Sequence, residues 1–125
     1  MTEQSKADRK ALIDEYRRTP KEMGVYCVRN TRNGRCLVAA SRDIRARFNR
    51  HRMDLKTNSD RNEALQSDWN EWGADAFEFE ILDLLEPLKD PGYDPGEDLD
   101  VLEALWVEKL SPFGDRGYNK VPKQT

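Results

Sequence analysis

The chain has 125 residues, of which 37% are hydrophobic and 36% charged, and this content is enough for one domain with a modest core. Its mean hydropathy of −0.94 and the charged first residues, MTEQSKADRK, argue against a membrane-spanning chain, a secretory signal and a transit peptide. We therefore expect one cytoplasmic domain without membrane contact, and the net charge of −3 argues only weakly against a nucleic-acid partner.

The first part of the chain predicts a helix and a β-hairpin. Residues 8–18 carry apolar side chains at helical spacing, and the Thr-Pro pair that follows ends the helix. Residues 23–29 and 35–40 are apolar and partly β-branched, and Asn33-Gly34 between them is a strong signal for a tight turn. We therefore expect two antiparallel strands after a short amphipathic helix.

The two cysteines, Cys27 and Cys36, lie in the predicted strands among apolar residues. Two thiols are too few for a disulfide framework or for a four-ligand zinc site. We expect both side chains to be buried and reduced.

A helix is predicted directly after the hairpin. Ser41 can act as its N-cap, with Asp43 in the first turn. Residues at helical spacing then form one apolar stripe that includes a histidine: Ile44, Phe48, His51 and Leu55. The stripe predicts which face of this helix packs against the sheet.

A second helix and a third strand follow. The helix is predicted from about Asn62 to Trp72, and Gly73 is a plausible C-terminal stop. Its apolar face consists of Leu65, Trp69 and Trp72. The sequence FEFEILDL at 77–84 alternates apolar and acidic side chains as a half-buried strand does, so we expect a third member of the sheet. The apolar side of this strand consists of Phe77, Phe79 and Ile81.

The rest of the chain predicts a surface loop and one more helix. Residues 87–96 contain three prolines and two glycines and therefore form a loop, after which DLDVLEALWVEKL returns to helical spacing. The fold class is α/β (α+β). We expect one domain at 23–120, with an N-terminal helical extension at 1–22 and a short tail at 121–125.

Charge is distributed unevenly along the chain. From Ser41 to Asn62, seven Arg or Lys and one His stand against three Asp, whereas from Asn62 to Glu103 fourteen acidic residues stand against one Lys. A basic segment can face phosphates, and the predicted nucleic-acid contacts are Arg42, Arg45, Arg50, Arg52 and Lys56. The alternative is that these cations only form a solvated face of the helix. The acidic segment is also interpreted as solvated surface.

Arg47 and His51 are candidates for a shared site. Arg47 lies three residues after Ile44 and four before His51, so both side chains project from the face that carries the apolar stripe. They would reach a common point near the sheet. The alternative is that His51 is a core histidine with satisfied hydrogen bonds and that Arg47 pairs with an acidic neighbour.

Glu103 and Tyr26 are further candidates. Glu103 lies on the apolar face of the last helix, four residues after Leu99 and three before Trp106. A buried carboxylate is costly without a cation, so it predicts either a salt bridge with an arginine, which is the simpler expectation, or a metal ion. Tyr26 lies in the first strand, where a tyrosine is ordinarily a packing residue.

Together these segments resemble the GIY-YIG nuclease family. The matching elements are GVY at 24–26, the hairpin loop with Asn33-Gly34, CLVAAS at 36–41, RxxxH from Arg47 to His51, LQSDW, FEFEIL, ExxW at Glu103 and GYN ending at Asn119. The combined spacing makes the resemblance specific, and it covers residues 23–119. It implies a three-stranded antiparallel sheet flanked by helices and a cleft where four side chains converge: Tyr26, Arg47, His51 and Glu103.

The resemblance implies an endonuclease that hydrolyses phosphodiesters, DNA in the first instance, with one divalent ion, Mg²⁺ or Mn²⁺. Glu103 would bind the metal, Tyr26 would assist deprotonation of the attacking water, and Arg47 would stabilise charge on the phosphate. His51 and Asn119 would support the site by hydrogen bonding, and Asn119 is also predicted to face nucleic acid.

The second motif departs from the family pattern. Leu37-Val38-Ala39 stands where the family has Tyr-Ile-Gly, which removes one hydroxyl, and Asp60 aligns with a second histidine of some members. Loss of this hydroxyl need not end catalysis, because in the family the first tyrosine, here Tyr26, is the better candidate for the base, and the expectation is an endonuclease with reduced activity. The alternatives are a nuclease-like domain that binds nucleic acid or a nucleotide without cutting, and a protein-interaction module that uses the fold as a scaffold.

Targeting and assembly are further open points. Family members with defined target sequences usually carry targeting elsewhere, so a stand-alone domain would have relaxed sequence specificity or would borrow a protein partner. Nothing in the sequence determines the oligomeric state.

Overall fold

The computed structural model describes residues 21–86 and 92–120. The predicted helix at 8–18 and the tail at 121–125 lie outside these residues, as does the first half of the predicted loop at 87–96.

Three strands form one antiparallel sheet. They are β1 (Gly24–Asn30), β2 (Cys36–Ser41) and β3 (Phe77–Leu84), arranged in the order β2-β1-β3. The central strand, β1, is almost entirely buried because it has a strand on each side and helices over both faces. The three predicted strands are confirmed, since alternation and apolar content are strong local signals.

The β1–β2 hairpin has a longer loop than a two-residue turn. Arg29 pairs with Cys36, and the N–H of Asn30 donates to the carbonyl of Arg35 at 2.8 Å. Gly34 has a φ of 80°, a left-handed conformation that glycine adopts at little cost. The predicted hairpin is confirmed, and each strand begins and ends within one residue of its predicted bounds.

Three α-helices flank the sheet in the described part of the chain: α1 (Ile44–Lys56), α2 (Glu63–Trp72) and α3 (Gly96–Leu110). Short 3₁₀ helices occupy Ala74–Ala76 and Gly114–Arg116. The helices follow the predicted periodicity, and none of those described is long and apolar enough to cross a membrane.

The N-cap of α1 differs from the predicted one. Asp43, not Ser41, is the capping residue, and its side chain accepts the N–H of Ala46 at 3.2 Å. The Ser41 hydroxyl instead accepts the N–H of Asp43 at 3.0 Å. Ser41 ends β2 and stabilises the tight connection to α1, and the N-cap therefore lies two residues later than predicted.

The sheet separates two apolar clusters. On one face, Tyr26 and Val28 pack against α1 and α2 together with buried side chains that include Ile44, Leu55 and Leu65. On the other face, Val25, Cys27 and Val38 pack against α3 through Leu102, Trp106, Val107 and Leu110. Because successive side chains of a strand point to opposite faces, Tyr26 faces the basic helix α1 while its neighbours face α3.

Two predicted core residues are exposed. Trp72 is the last residue of α2, where the helix leaves the core, and it is 46% exposed. Ile81 pairs with Tyr26 and lies on the predicted side of β3, the side that faces α1, but it is 39% exposed. Leu82 lies on the opposite side of β3 and packs in the α3 cluster, as alternation requires. The alternation therefore predicted the side of Ile81 correctly but not its burial, because β3 is an edge strand that the helices cover only in part.

Cys27 and Cys36 are both buried and free, as predicted. Burial raises the pKa of the Cys27 thiol to about 12, and the neighbouring Glu80 carboxylate adds to this effect. A thiol with so high a pKa is almost entirely protonated at neutral pH and is a poor nucleophile.

Candidate functional site

Tyr26 lies at the centre of the candidate site. Its side chain is only 1% exposed, and its ring meets Phe48 of α1 edge to face with the ring centroids 5.4 Å apart. The Tyr26 hydroxyl is hydrogen bonded to Nε2 of His51 at 3.1 Å. The central strand and the basic helix thus bring together two of the residues that the sequence predicted to share a site.

His51 connects Tyr26 to a carboxylate. Its Nδ1 lies 2.9 Å from Oδ2 of Asp60, and these two side chains are only 7% and 4% exposed. Asp60 lies between α1 and α2, where its Oδ1 accepts the N–H of Asn62 at 2.9 Å and its own N–H donates to Gln66 at 3.0 Å. Hydrogen bonds at both ring nitrogens therefore hold the imidazole in place.

The surroundings of Asp60 keep it ionised. Burial alone would raise the pKa of its carboxyl, but hydrogen bonds from His51 and from the Asn62 N–H, with the charges of His51 and Arg47, outweigh burial. The pKa of Asp60 therefore lies below its usual 3.8. At neutral pH Asp60 is a carboxylate that can only accept hydrogen bonds.

Arg47 acts on the same hydroxyl. It lies one turn before His51 on α1, and its guanidinium lowers the pKa of Tyr26. Burial raises the pKa of the Tyr26 hydroxyl, and the charges of Asp60 and Glu103 add to this, whereas Arg47 lowers it, and the net shift is upward from 10.0. The alternative pairing of Arg47 with an acidic neighbour is not seen among residues 21–86 and 92–120.

These side chains line a cleft of about 390 Å³. From β2, the cleft receives Leu37 and Ala39 of the altered second motif. Its cationic side chains are Arg47, Arg50 and Arg61. Its carboxylates are Asp54 and Asp60. The cations outnumber the carboxylates, which suits an anionic group such as a phosphate.

Glu103 approaches the site from the other face of the sheet. It lies on α3, is half-buried, and its Oε2 accepts the N–H of Ala40 at 2.8 Å. It does not line the cleft, although its charge is close enough to raise the pKa of Tyr26. The simpler expectation of a salt bridge is wrong within the described residues, because a backbone N–H takes the place of the cation.

Glu103 is the residue that the resemblance assigns to a divalent ion. The N–H of Ala40 occupies one carboxylate oxygen, and Oε1 has no hydrogen-bond partner in the described ranges. One carboxylate with several waters suits Mg²⁺ and Mn²⁺. No three His, Cys, Asp or Glu side chains of residues 21–86 and 92–120 are grouped to hold a metal. The donor set thus fits a hydrated ion with a single protein ligand, not an ion enclosed by side chains.

Asn119 supports β2 and does not line the cleft. Its Oδ1 accepts the N–H of Val38 and its Nδ2 donates to the Val38 carbonyl, both at 2.8 Å. The predicted supporting hydrogen bonds are therefore made to the strand backbone between Leu37 and Ala39. Contact of Asn119 with nucleic acid stays a prediction.

The predicted basic residues do not all line the cleft. Only Arg50 of the five lines the cleft, and Arg52 stacks over the ring of Phe79, 4.4 Å from the centroid. Three of the five form exposed ion pairs: Arg42–Asp94 at 2.7 Å, Arg45–Glu22 at 2.6 Å and Arg50–Asp54 at 3.2 Å. Exposed pairs of this kind are weak, so these cations can exchange their partners for a phosphate.

Two site residues, Asp60 and Arg61, received no role from the sequence. Asp60 stood only as a departure from a family histidine, and Arg61 only as one cation of the basic segment. The cap at Asn62, whose side chain accepts the N–H of Leu65, marks the start of α2 and places both residues in the preceding loop. No periodicity connects this loop to His51, so their contact could not be predicted.

Comparison with known proteins supports the fold. No protein-family model matches the chain, and no curated protein sequence is significantly similar to it. The solved catalytic domain of the homing endonuclease I-TevI is similar, with a TM-score of 0.65, 26% identity and coverage of 80% of this chain and 99% of that one. A mutant of that catalytic domain gives a TM-score of 0.64 at 26% identity, covering 78% and 92%. This chain therefore has a GIY-YIG-like, nuclease-like fold.

Proposed function

We propose that the chain is a metal-dependent endonuclease that hydrolyses the phosphodiesters of nucleic acid, DNA in the first instance. One observation carries the proposal: the Tyr26 hydroxyl is hydrogen bonded to His51 and lies with Arg47 in a cleft rich in arginine. The similarity to the I-TevI catalytic domain supports the same class of reaction.

The arginines of the cleft would bind the substrate. A guanidinium can donate two parallel hydrogen bonds to phosphate oxygens, and Arg47 is the one beside the Tyr26 hydroxyl. Arg47 would therefore stabilise the charge that builds on the phosphate under attack. Arg50 and Arg61 line the same cleft and would hold neighbouring phosphates.

Tyr26 would act on the attacking water. Its hydroxyl lies next to Arg47, so a water held between Tyr26 and a phosphate on Arg47 would be close to the phosphorus atom. His51 holds the hydroxyl in place through a hydrogen bond of 3.1 Å. Orientation of a nucleophile in this way lowers the barrier without any new covalent intermediate.

Glu103 would hold the divalent ion, Mg²⁺ or Mn²⁺. When bound, the ion would supply Lewis-acid stabilisation of the phosphoryl and leaving oxygens. The contribution of the chain is the position of the carboxylate, which the N–H of Ala40 anchors at the end of β2. Weak retention of the metal is expected because one protein ligand is shared with waters.

A cleavage assay tests this proposal. Wild type, Glu103→Ala and Tyr26→Phe are incubated with single- and double-stranded DNA and RNA, in Mg²⁺, Mn²⁺ or chelator. We expect metal-dependent cleavage by the wild type, and we expect the cleavage rate of both variants to be lower by about 100-fold or more. Glu108→Ala, which removes an exposed carboxylate from the same helix, should cut like the wild type. Failure of the wild type on every substrate and metal would refute the proposal.

A second candidate function is binding of nucleic acid or a nucleotide without cutting. It is favoured by Leu37, an apolar side chain that lines the cleft at the position of the family's second tyrosine. Salt-dependent binding without cleavage would identify this case. Absence of binding at low salt would instead favour a protein-interaction module.

A further inference from the structure

Three side chains of the site form a continuous hydrogen-bonded chain. The Tyr26 hydroxyl lies 3.1 Å from Nε2 of His51, and Nδ1 of His51 lies 2.9 Å from Oδ2 of Asp60. The Asp60 carboxylate is held in turn by the N–H of Asn62. The sequence indicated two of these three residues, and nothing in its pattern assigned the carboxylate a function.

The carboxylate determines which ring nitrogen carries the proton. Asp60 is ionised and can only accept, so Nδ1 of His51 must donate to it. In a neutral imidazole the other nitrogen, Nε2, is then an acceptor. The remaining bond therefore has one polarity, in which the Tyr26 hydroxyl donates to Nε2.

The donor and acceptor roles of the Tyr26 hydroxyl follow from its neighbours. Its proton points to His51, and its oxygen lies in the positive field of the Arg47 guanidinium. A lone pair of this oxygen is left to accept a hydrogen bond from a water in the cleft. Since burial raises the pKa of this phenol, tyrosinate is scarce at neutral pH, and Tyr26 can take a proton only if it passes its own proton on.

We propose that His51 is the terminal proton acceptor of the reaction, reached through Tyr26, and that Asp60 is the positioning residue that keeps Nε2 unprotonated and stabilises the imidazolium. This inference rests on the proposed function. It differs from a purely structural role for Asp60, in which the carboxylate only ties the loop before α2 to α1.

Protons move along Tyr26 and His51 while the phosphodiester is cleaved. The water oxygen forms a bond to phosphorus and gives a proton to Tyr26 Oη, while the proton originally on Oη moves to Nε2 of His51. The P–O bond to the leaving oxygen breaks, and that oxygen takes the electron pair and is protonated by solvent. The imidazolium, held by Asp60, then returns its proton to solvent, so Tyr26 is a neutral phenol before and after the step.

The histidine can be observed directly because His51 is the only histidine of the chain. In untagged protein labelled with ¹⁵N-histidine, two-bond correlations from the ring protons distinguish Nδ1 from Nε2 and show which carries hydrogen. We expect a neutral ring protonated at Nδ1 in the wild type at the pH of the cleavage assay. A ring protonated at Nε2, or at both nitrogens, would overturn the proposal without any variant or activity measurement.

Variants separate orientation from folding. Asp60→Asn replaces the acceptor with a group that can donate to Nδ1, so we expect the Nε2-protonated form to appear. Tyr26→Phe keeps the carboxylate, so the ring should stay protonated at Nδ1. Asp75→Asn, an equal change of charge at an exposed site, should leave the spectrum unchanged. A wild-type tautomer in a folded Asp60→Asn protein would contradict the positioning role.

Kinetics provide the second readout. In Asp60→Asn we expect kcat to fall by about 10²- to 10⁴-fold with KM little changed, because the carboxylate acts on proton transfer and not on substrate binding. A rise in KM alone would overturn the inference. If the wild type cut nothing, the proposed function and the catalytic part of this inference would both fail, while the spectrum would still show whether Asp60 orients the ring.

Discussion

The side chain of Asn119 and the backbone of Val38 are joined by two hydrogen bonds of 2.8 Å, one in each direction. The amide thus pairs with β2 as the backbone of a neighbouring strand would. It ties the C-terminal segment to the strand that supplies Leu37 and Ala39 to the cleft. The shape of the cleft therefore depends on a residue that does not line it.

We predict that Asn119→Ala lowers the free energy of unfolding by about 1–3 kcal/mol, because the N–H and C=O of the buried Val38 lose their partners. Urea denaturation measures this change. The exposed neighbour Lys120, replaced by alanine, is the matched control and should keep the wild-type midpoint. Equal midpoints for the two variants would contradict the role assigned to Asn119.

A glycine of the first motif is predicted to tolerate no side chain. At Gly24 a Cβ would lie 2.0 Å from the carbonyl oxygen of Asp83, so Gly24→Ala must push β1 and β3 apart. We expect a loss of about 1–3 kcal/mol in the free energy of unfolding. Gly34→Ala is the comparison, since its Cβ meets no atom within 4 Å and only the left-handed φ costs about 1 kcal/mol. If Gly24→Ala lowered the free energy of unfolding less than Gly34→Ala, β1 and β3 could separate enough to accept the side chain, and the prediction would be wrong.

The hydrogen-bonded Asp60 predicts a loss of stability in acid. Its pKa is lower in the folded protein than in the unfolded chain, so its stabilising contribution is complete above the unfolded value, near 3.8, and is lost as the pH falls through the lower folded value. As the pH falls below 3.8, the wild type should therefore lose more stability than Asp60→Asn. Urea midpoints across this range measure the difference.

The control for this prediction is Asp94→Asn. The pKa of Asp94 is also lowered, first by the N–H of Gly96 and then by Arg42, but Asp94 is exposed and its ion pair is weak. The urea midpoints of Asp94→Asn at each pH should therefore stay close to those of the wild type. Parallel profiles for wild type and Asp60→Asn would mean that Asp60 is not stabilised as a carboxylate.

Arg61 is predicted to bind a phosphate of the substrate. It lines the cleft and has no hydrogen-bond or ion-pair partner in the described ranges, so it loses no existing contact when a phosphate binds. In binding titrations with Glu103→Ala protein, replacement of Arg61 by alanine should reduce the slope of log K against log salt by about one.

Arg42→Ala provides a comparison in the same titrations. Arg42 is paired with Asp94 at 2.7 Å and does not line the cleft, so its removal should change the slope less. The prediction fails if the Arg42 variant shows the larger effect, because the phosphates would then lie outside the cleft.

The elements of the fold could be predicted because their signals are local. Apolar, β-branched content located β1, alternation located β3, and helical spacing located α1 and placed Arg47 and His51 on one face. The errors lie at the ends and edges of the elements: Ile81 is exposed on the edge strand β3, Trp72 is exposed at the end of α2, and Asp43 caps α1 in place of Ser41. How far an edge or an end is covered depends on segments that are distant along the chain.

The sequence by itself determined the order of strands and helices, the common face of Arg47 and His51, and the resemblance that identified Tyr26 and Glu103. Only the tertiary structure decided that Asp60 meets His51, and that Glu103 bonds to Ala40 instead of an arginine. The reason is physical: periodicity fixes directions within one element, whereas a hydrogen bond between elements depends on packing and loop paths, which no local pattern records.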